Sequence, residues 1–168
     1  MKIASWNVNG IRARLDHVSQ WLQTNQPDVL ALQETKVMDE MFPLDVFKPL
    51  GYQASIYGQK SYNGVAFLTK KSPTGLTKGI EGFTDDQTRV IAGIFSGVLI
   101  INVYVPNGQS VGSEKFDYKM RWLKHFYIHL QTLLKTHQKI VILGDFNIAP
   151  DDMDVHDPEL WKDKVLCS

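Results

Sequence analysis

Asp145 and Asn147 follow directly on an apolar run, Ile140-Val141-Ile142-Leu143-Gly144. Their side chains, one carboxylate and one carboxamide, offer oxygen donors of the kind that hold a hard divalent cation. The run has no polar face and reads as a buried strand. In extended chain, residues two apart point the same way, so both groups would face one spot where the strand meets solvent. Two further segments end alike. Lys2-Ile3-Ala4-Ser5-Trp6 leads into Asn7 and Asn9, with Gly10 permitting a tight exit, and Asp28-Val29-Leu30-Ala31-Leu32-Gln33 leads into Glu34. Ligands of α/β proteins gather beyond the carboxyl ends of strands. Asn7, Glu34, Asp145 and Asn147 are therefore expected to converge on one Mg²⁺, with Mn²⁺ as a substitute. The same residues also fit a plainer description, in which Asn7 and Asn9 shape a turn and Glu34 caps the loop that follows.

The elements that must position these groups alternate along the chain. Leu15, Val18, Trp21 and Leu22 recur at helical spacing between Arg12 and Asn25, and Gln26-Pro27 closes that helix. Strands are predicted around Tyr52–Tyr57, Gly64–Thr69, Arg89–Phe95 and Val98–Val105. Ser113-Glu114 opens a long helix whose apolar face is read as Phe116, Met120, Leu123, Phe126, Tyr127, Leu130, Leu133 and Leu134. Strands and helices in this mixture imply an α/β sheet with at least one covered face. At 168 residues and 43% hydrophobic content, the chain can fill one sizeable core, so a single domain over 1–168 is expected. Eighteen basic against eighteen acidic residues give no charge with which to bind a polyanion nonspecifically, leaving room only for a local basic rim. One cysteine, Cys167, excludes an intramolecular disulfide, and no apolar leader opens the chain; both fit a reducing, cytoplasmic setting.

Four segments carry a resemblance. Trp6-Asn7-Val8-Asn9-Gly10-Ile11-Arg12, Leu32-Gln33-Glu34-Thr35-Lys36, Tyr104-Val105-Pro106-Asn107-Gly108 and Gly144-Asp145-Phe146-Asn147 occur in the order of the signatures of the exonuclease III family of apurinic/apyrimidinic endonucleases. Gly58–Ala66 and Thr88-Arg89-Val90 are similar to that family's DNA-facing loops. The resemblance implies a four-layered αββα sandwich of the DNase I-like superfamily and a Mg²⁺-dependent DNA-repair phosphodiesterase. Its partner would be double-stranded DNA with abasic sites or blocked 3′ ends, cut 5′ to the abasic site or from 3′ to 5′. Glu34 and Asn7 would hold the metal, with Asp145 and Asn147 completing the site. Asp145 would orient or deprotonate the attacking water, Asn147 would hold phosphate or water, and Tyr104 would contact phosphate. Asn9, Lys36, Lys60, Arg89 and Asn107 would bind DNA or phosphate.

The family continues beyond its Asp-x-Asn strand into further strands and an Asp-His pair. None of His17, His125, His129, His137 and His156 is placed to supply that pair. The chain therefore reads as an N-terminal portion, with the C-terminal part of the second sheet missing. The runs at Val98–Ile101 and Ile140–Leu143 are then expected to lack a packing sheet and to promote self-association. Two other readings follow from the same residues: a phosphoester hydrolase of the superfamily acting on inositol phosphates, and an inactive fragment that binds DNA weakly.

Overall fold

The computed structural model describes residues 1–167. Among the described residues eight strands form two four-stranded sheets. The first contains β1 (Ile3–Asn7), β2 (Val29–Gln33), β3 (Gln53–Tyr57) and β4 (Val65–Thr69) in the order β1-β2-β4-β3. The second contains β5 (Thr74–Lys78), β6 (Val90–Phe95), β7 (Val98–Tyr104) and β8 (Ile140–Asp145) in sequence order. The helices are α1 (Leu15–Asn25), α2 (Leu44–Phe47), α3 (Glu114–Thr136) and α4 (Pro158–Trp161).

Each sheet holds one parallel pair, β1 with β2 and β7 with β8, and the remaining pairs are antiparallel. A parallel pair needs a long crossover; α1 makes the first and α3 the second. Both crossovers leave their strands' carboxyl ends on one rim. The apolar residues sort into three cores. One lies between α1 and the first sheet, around Val18, Leu22, Leu30 and Leu68. Another lies between the sheets, where Ala31, Val65 and Phe67 meet Ile91, Phe95 and Ile100. The last lies between the second sheet and α3, around Ile101, Val103, Trp122 and Phe126. The layers are thus helix, sheet, sheet, helix, as the resemblance implies. Continuous burial along β2 and β4 follows from having both faces covered.

The predicted strands lie within a residue or so of those observed, and three expectations are corrected. The run Val98–Ile101 does not lack a packing sheet: β2 and β4 of the first sheet cover the inner face of β7. What stays half-exposed is an edge, formed by β8 and β1 side by side. On α3, Met120, Tyr127 and Leu134 are exposed. The fully buried stripe is Lys119, Trp122, Phe126 and His129; of the predicted face Phe126 lies in it and Leu123, Leu130 and Leu133 pack beside it. Trp122 and Phe126, stacked at 5.1 Å, set that orientation. Finally, β5 was not anticipated, because every residue in it is exposed and no apolar run marks it. Among the described residues no helix is long and apolar enough to cross a membrane.

Candidate active site

The strand ends on the shared rim do bring the predicted groups together. Asn7 at the end of β1 donates one amide nitrogen to two carboxylates, Oε1 of Glu34 at 2.9 Å and Oδ2 of Asp145 at 2.7 Å. Glu34 follows β2 in the first sheet and Asp145 ends β8 in the second, so this contact spans the sandwich. Glu34 sits in the left-handed region (φ 54°), a conformation that needs support from neighbours. Its carbonyl accepts from Gly10 N at 2.7 Å, and the amides of Thr35 and Lys36 donate to Gly64 and Asn63 at 3.1 and 2.9 Å. Lys36 Nζ pairs with Glu34 Oε2 at 2.9 Å and also donates to Asn9 Oδ1. Burial raises the Glu34 pKa, but hydrogen bonds from Asn7, Lys36 and Tyr104 outweigh it, leaving the carboxyl below its ordinary range and ionised at neutral pH.

The extended geometry expected after these strands is not what forms. Asn9 (φ 45°) and Asn147 (φ 47°) are left-handed, and each donates its backbone N–H to the side-chain oxygen two residues back, Asn9 to Asn7 at 3.0 Å and Asn147 to Asp145 Oδ1 at 3.1 Å. Gln109 does the same to Asn107 at 3.1 Å. These are Asx turns, which Asn and Asp favour because the side chain mimics a backbone acceptor. Each turn fixes one side-chain oxygen of the strand-end residue and turns the next residue away from it. Asn147 therefore lies beside the cluster but faces elsewhere: its Nδ2 donates to Val105 O at 2.9 Å and its Oδ1 accepts from Asn107 at 3.3 Å. Asn7 and Asn9 shape a turn, as the plainer description has it, and Asn7 also touches both carboxylates. Gly144 makes the Asp145 position accessible. A Cβ there would lie 1.9 Å from Val103 O, and its φ of 143° is one that other residues rarely adopt.

Tyr104 ends β7 beside Glu34. Burial first, then the Glu34 charge, push its phenol up to about 12, so at neutral pH it is a hydrogen-bond donor. Arg89 is packed rather than solvated. It is buried, its guanidinium lies 4.6 Å over the Tyr104 ring, and it donates to Tyr104 O at 3.0 Å and Gln87 Oε1 at 2.8 Å. Asn107, Arg89 and Tyr104 line an open cleft of about 660 Å³ together with Tyr62 and Lys115. Lys60 is apart from the carboxylates and borders a shallow groove with Lys36 and Arg12. His125 stacks on Phe83 and His129 is buried on α3, both away from the cluster.

The donors that fit a divalent cation are the two carboxylates, hard oxygen ligands facing one point; the Asn7 amide turns its nitrogen to them and its oxygen to the Asn9 N–H. Among the described residues no group of three or more His, Cys, Asp or Glu gathers. Two supporting residues were missed in the sequence. Asn102, fully buried in β7, donates to Leu32 O and Ala66 O at 3.0 Å each and accepts from Gln33 Nε2 at 2.7 Å, tying the sheets together just behind Glu34 and Tyr104. A lone amide inside Ile100-Ile101-Asn102-Val103 was its available signal. Lys119, the other, shares the helical spacing of Trp122, Phe126 and His129.

Residues 4–163 match the Endonuclease/Exonuclease/phosphatase family. Exodeoxyribonuclease III of Haemophilus influenzae is 41% identical over 165 residues, covering 92% of this chain and 60% of that protein. The DNA repair nuclease APEX1 of Danio rerio is 35% identical, covering 95% and 53%. Among solved structures, the 3′ phosphatase NExo from Neisseria, bound to a product DNA hairpin, superimposes with a TM-score of 0.97 at 43% identity over the whole of this chain and 66% of its own. An AP endonuclease from Archaeoglobus fulgidus gives 0.94 at 40%, again with all of this chain and 65% of the other. This chain thus spans only part of the length of each of these relatives. With two sheets face to face and a two-carboxylate cluster on their common rim, it belongs to the endonuclease/exonuclease/phosphatase family, in likeness to its exodeoxyribonuclease III and AP endonuclease members.

Proposed function

We propose that this protein is a Mg²⁺-dependent DNA-repair phosphodiesterase acting on duplex DNA at abasic sites or blocked 3′ ends, with Mn²⁺ as a substitute ion. The observation that carries this is the Asn7 amide bridging Glu34 and Asp145 from opposite sheets. Glu34 and Asp145 would hold the cation, which when bound neutralises charge on phosphate oxygens. Asp145 has Oδ1 held by the Asn147 N–H and Oδ2 by the Asn7 amide; a carboxylate oxygen has a second lone pair, through which Oδ2 would orient water or accept its proton. Tyr104, kept protonated, donates to a phosphate oxygen as negative charge builds there. Asn107 adds an amide donor on the cleft side, and Lys36 and Lys60 supply positive charge along the groove. Names of relatives support the substrate class: a DNA repair nuclease and a 3′ phosphatase bound to a DNA hairpin.

The test incubates the purified protein with a duplex bearing one abasic site, a duplex with a 3′ phosphate, and inositol phosphates, with Mg²⁺ or with chelator. Metal-dependent cleavage of DNA, abolished in Glu34→Ala and Asp145→Asn, is the expected result. Phosphate release from inositol phosphates alone would overturn the DNA reading in favour of the superfamily's phosphatases. Salt-sensitive duplex binding without any turnover would mark the 168-residue chain as an inactive binder.

A further inference from the structure

Lys119 is an ionisable residue buried with no carboxylate partner among the described residues. It lies on the inner face of α3 at 3% exposure. Its Nζ meets three backbone carbonyls from three segments: Asn147 O at 2.7 Å, Val165 O at 3.0 Å and Asn107 O at 3.5 Å. An ammonium has three N–H donors, and these carbonyls match them in number. Burying a cation this way is costly unless its donors are filled, and desolvation alone holds the Lys119 pKa below its ordinary value. Two of the three carbonyls belong to Asn107 and Asn147, the asparagines of the Asx turns beside the carboxylate cluster. The stem is accommodated as deliberately as the head. Gly108 is left-handed (φ 88°), and a Cβ there would lie 3.0 Å from Lys119 Cδ and 2.9 Å from Val165 Cγ2.

We propose that Lys119 is a positioning residue for the active site, an ammonium clamp that holds the Asn107 and Asn147 loops against each other and thereby fixes Asp145. The inference rests on the phosphodiesterase reading. The coupling runs through one residue. Asn147 donates its N–H to Asp145 Oδ1 and offers its C=O to Lys119, so it is held on both sides in a left-handed conformation. Its side chain is tied to Val105 O and to Asn107. Releasing the carbonyl removes one of the two backbone hydrogen bonds that hold this turn, and the Asp145 carboxylate is left with Asn7 as the one of its two donors still fixed. Misplacing a reacting group from outside the chemistry costs up to about 10²-fold in rate, and the loss falls on turnover because Lys119 itself contacts neither groove nor cleft.

The experiment compares Lys119→Met with Leu22→Ala, a cavity variant in the core under the first sheet, on the far side of the sandwich. Thermal midpoints are matched by adjusting temperature. Two readouts are taken: kcat and KM on the abasic duplex, and hydrogen exchange of the Asn147 amide. Lys119→Met is expected to lose at least about tenfold in kcat with KM within about threefold, and to exchange the Asn147 amide faster. Leu22→Ala is expected to keep both. Equal kcat in the two variants at matched stability, or an unchanged Asn147 exchange rate, overturns the clamp. Should Lys119→Met fail to fold, Lys119→Gln, which retains a donor, is judged by the same criteria. If the parent hydrolyses no substrate, the functional reading fails, and exchange at Asn147 alone decides whether Lys119 holds the loop.

Discussion

Replacing Asn102 by Leu removes a fully buried amide that β7 inserts between the sheets while preserving its volume. Three hydrogen bonds are lost: those to Leu32 O and Ala66 O at 3.0 Å, and that from Gln33 Nε2 at 2.7 Å. Gln33 keeps Ser5 Oγ at 3.1 Å and Ala31 O at 3.3 Å, so its amide is under-supplied rather than orphaned. At a net 0.5–1.5 kcal/mol for each neutral bond, the loss is about 3 kcal/mol. For a chain of this size that lowers the thermal midpoint by about 6–12 °C. Urea unfolding followed by tryptophan fluorescence measures it directly. A double-mutant cycle with Gln33→Met then isolates the bond between the two amides. The double variant should lose about 1 kcal/mol less than the sum of the singles, since the shared bond is counted twice in that sum. A loss below about 1 kcal/mol for Asn102→Leu, or additivity within about 0.5 kcal/mol, would refute the claim that this pair holds the sheets in register.

Gly144→Ala should cost at least about 3 kcal/mol, since both the φ and the Val103 carbonyl oppose a Cβ; soluble yield and urea midpoint report it. His129 is buried on α3, its Nδ1 has no partner among the described residues, and desolvation depresses its pKa. The folded state therefore favours the neutral ring. Stability is complete above the ordinary imidazole value of about 6.5 and falls as pH drops from there through the folded pKa. In His129→Phe this part of the thermal-midpoint profile should be flat. Lys60→Ala should reduce the slope of log binding constant against log salt by about 1, one phosphate contact fewer. Arg89→Ala should leave that slope nearly unchanged and lower turnover instead, because its guanidinium is spent on Tyr104 and Gln87; titrating a labelled duplex at several salt concentrations separates the two.

How much of this was legible depends on the range of the interaction. Strand positions and the strand-end clustering of Asn7, Glu34 and Asp145 were readable, because runs such as Ile140–Leu143 and Val29–Leu32 declare burial locally and the carboxyl ends of parallel strands share a rim. Where sequence reasoning failed, a local rule met a non-local partner. Extended geometry put Asn147 beside Asp145 on one face, whereas the Asx turn reverses it. Apolar periodicity on α3 found Phe126, Leu123, Leu130 and Leu133 but added the exposed Met120 and Tyr127, whereas Trp122 stacking on Phe126 brings Lys119 into the buried face. Arg89 read as a free cation, and Tyr104, its ring partner and carbonyl acceptor, lies fifteen residues away on the neighbouring strand.

These misses have a common physical origin. A rim made from four strand ends exposes backbone groups that no ladder satisfies, and each must be paired or reach water. The chain supplies the pairing from side chains whose types look unremarkable in sequence: Asn7, Asn107 and Asp145 accept from the amides two residues on. Lys119 accounts for three carbonyls, and Arg89 for that of Tyr104. Asn7 and Asp145 consequently use one oxygen to build the turn and keep their remaining side-chain atoms for the shared contact. The turn residues are thus also site residues, which is why a reading that assigned each side chain to either structure or chemistry could place the cluster but not orient it.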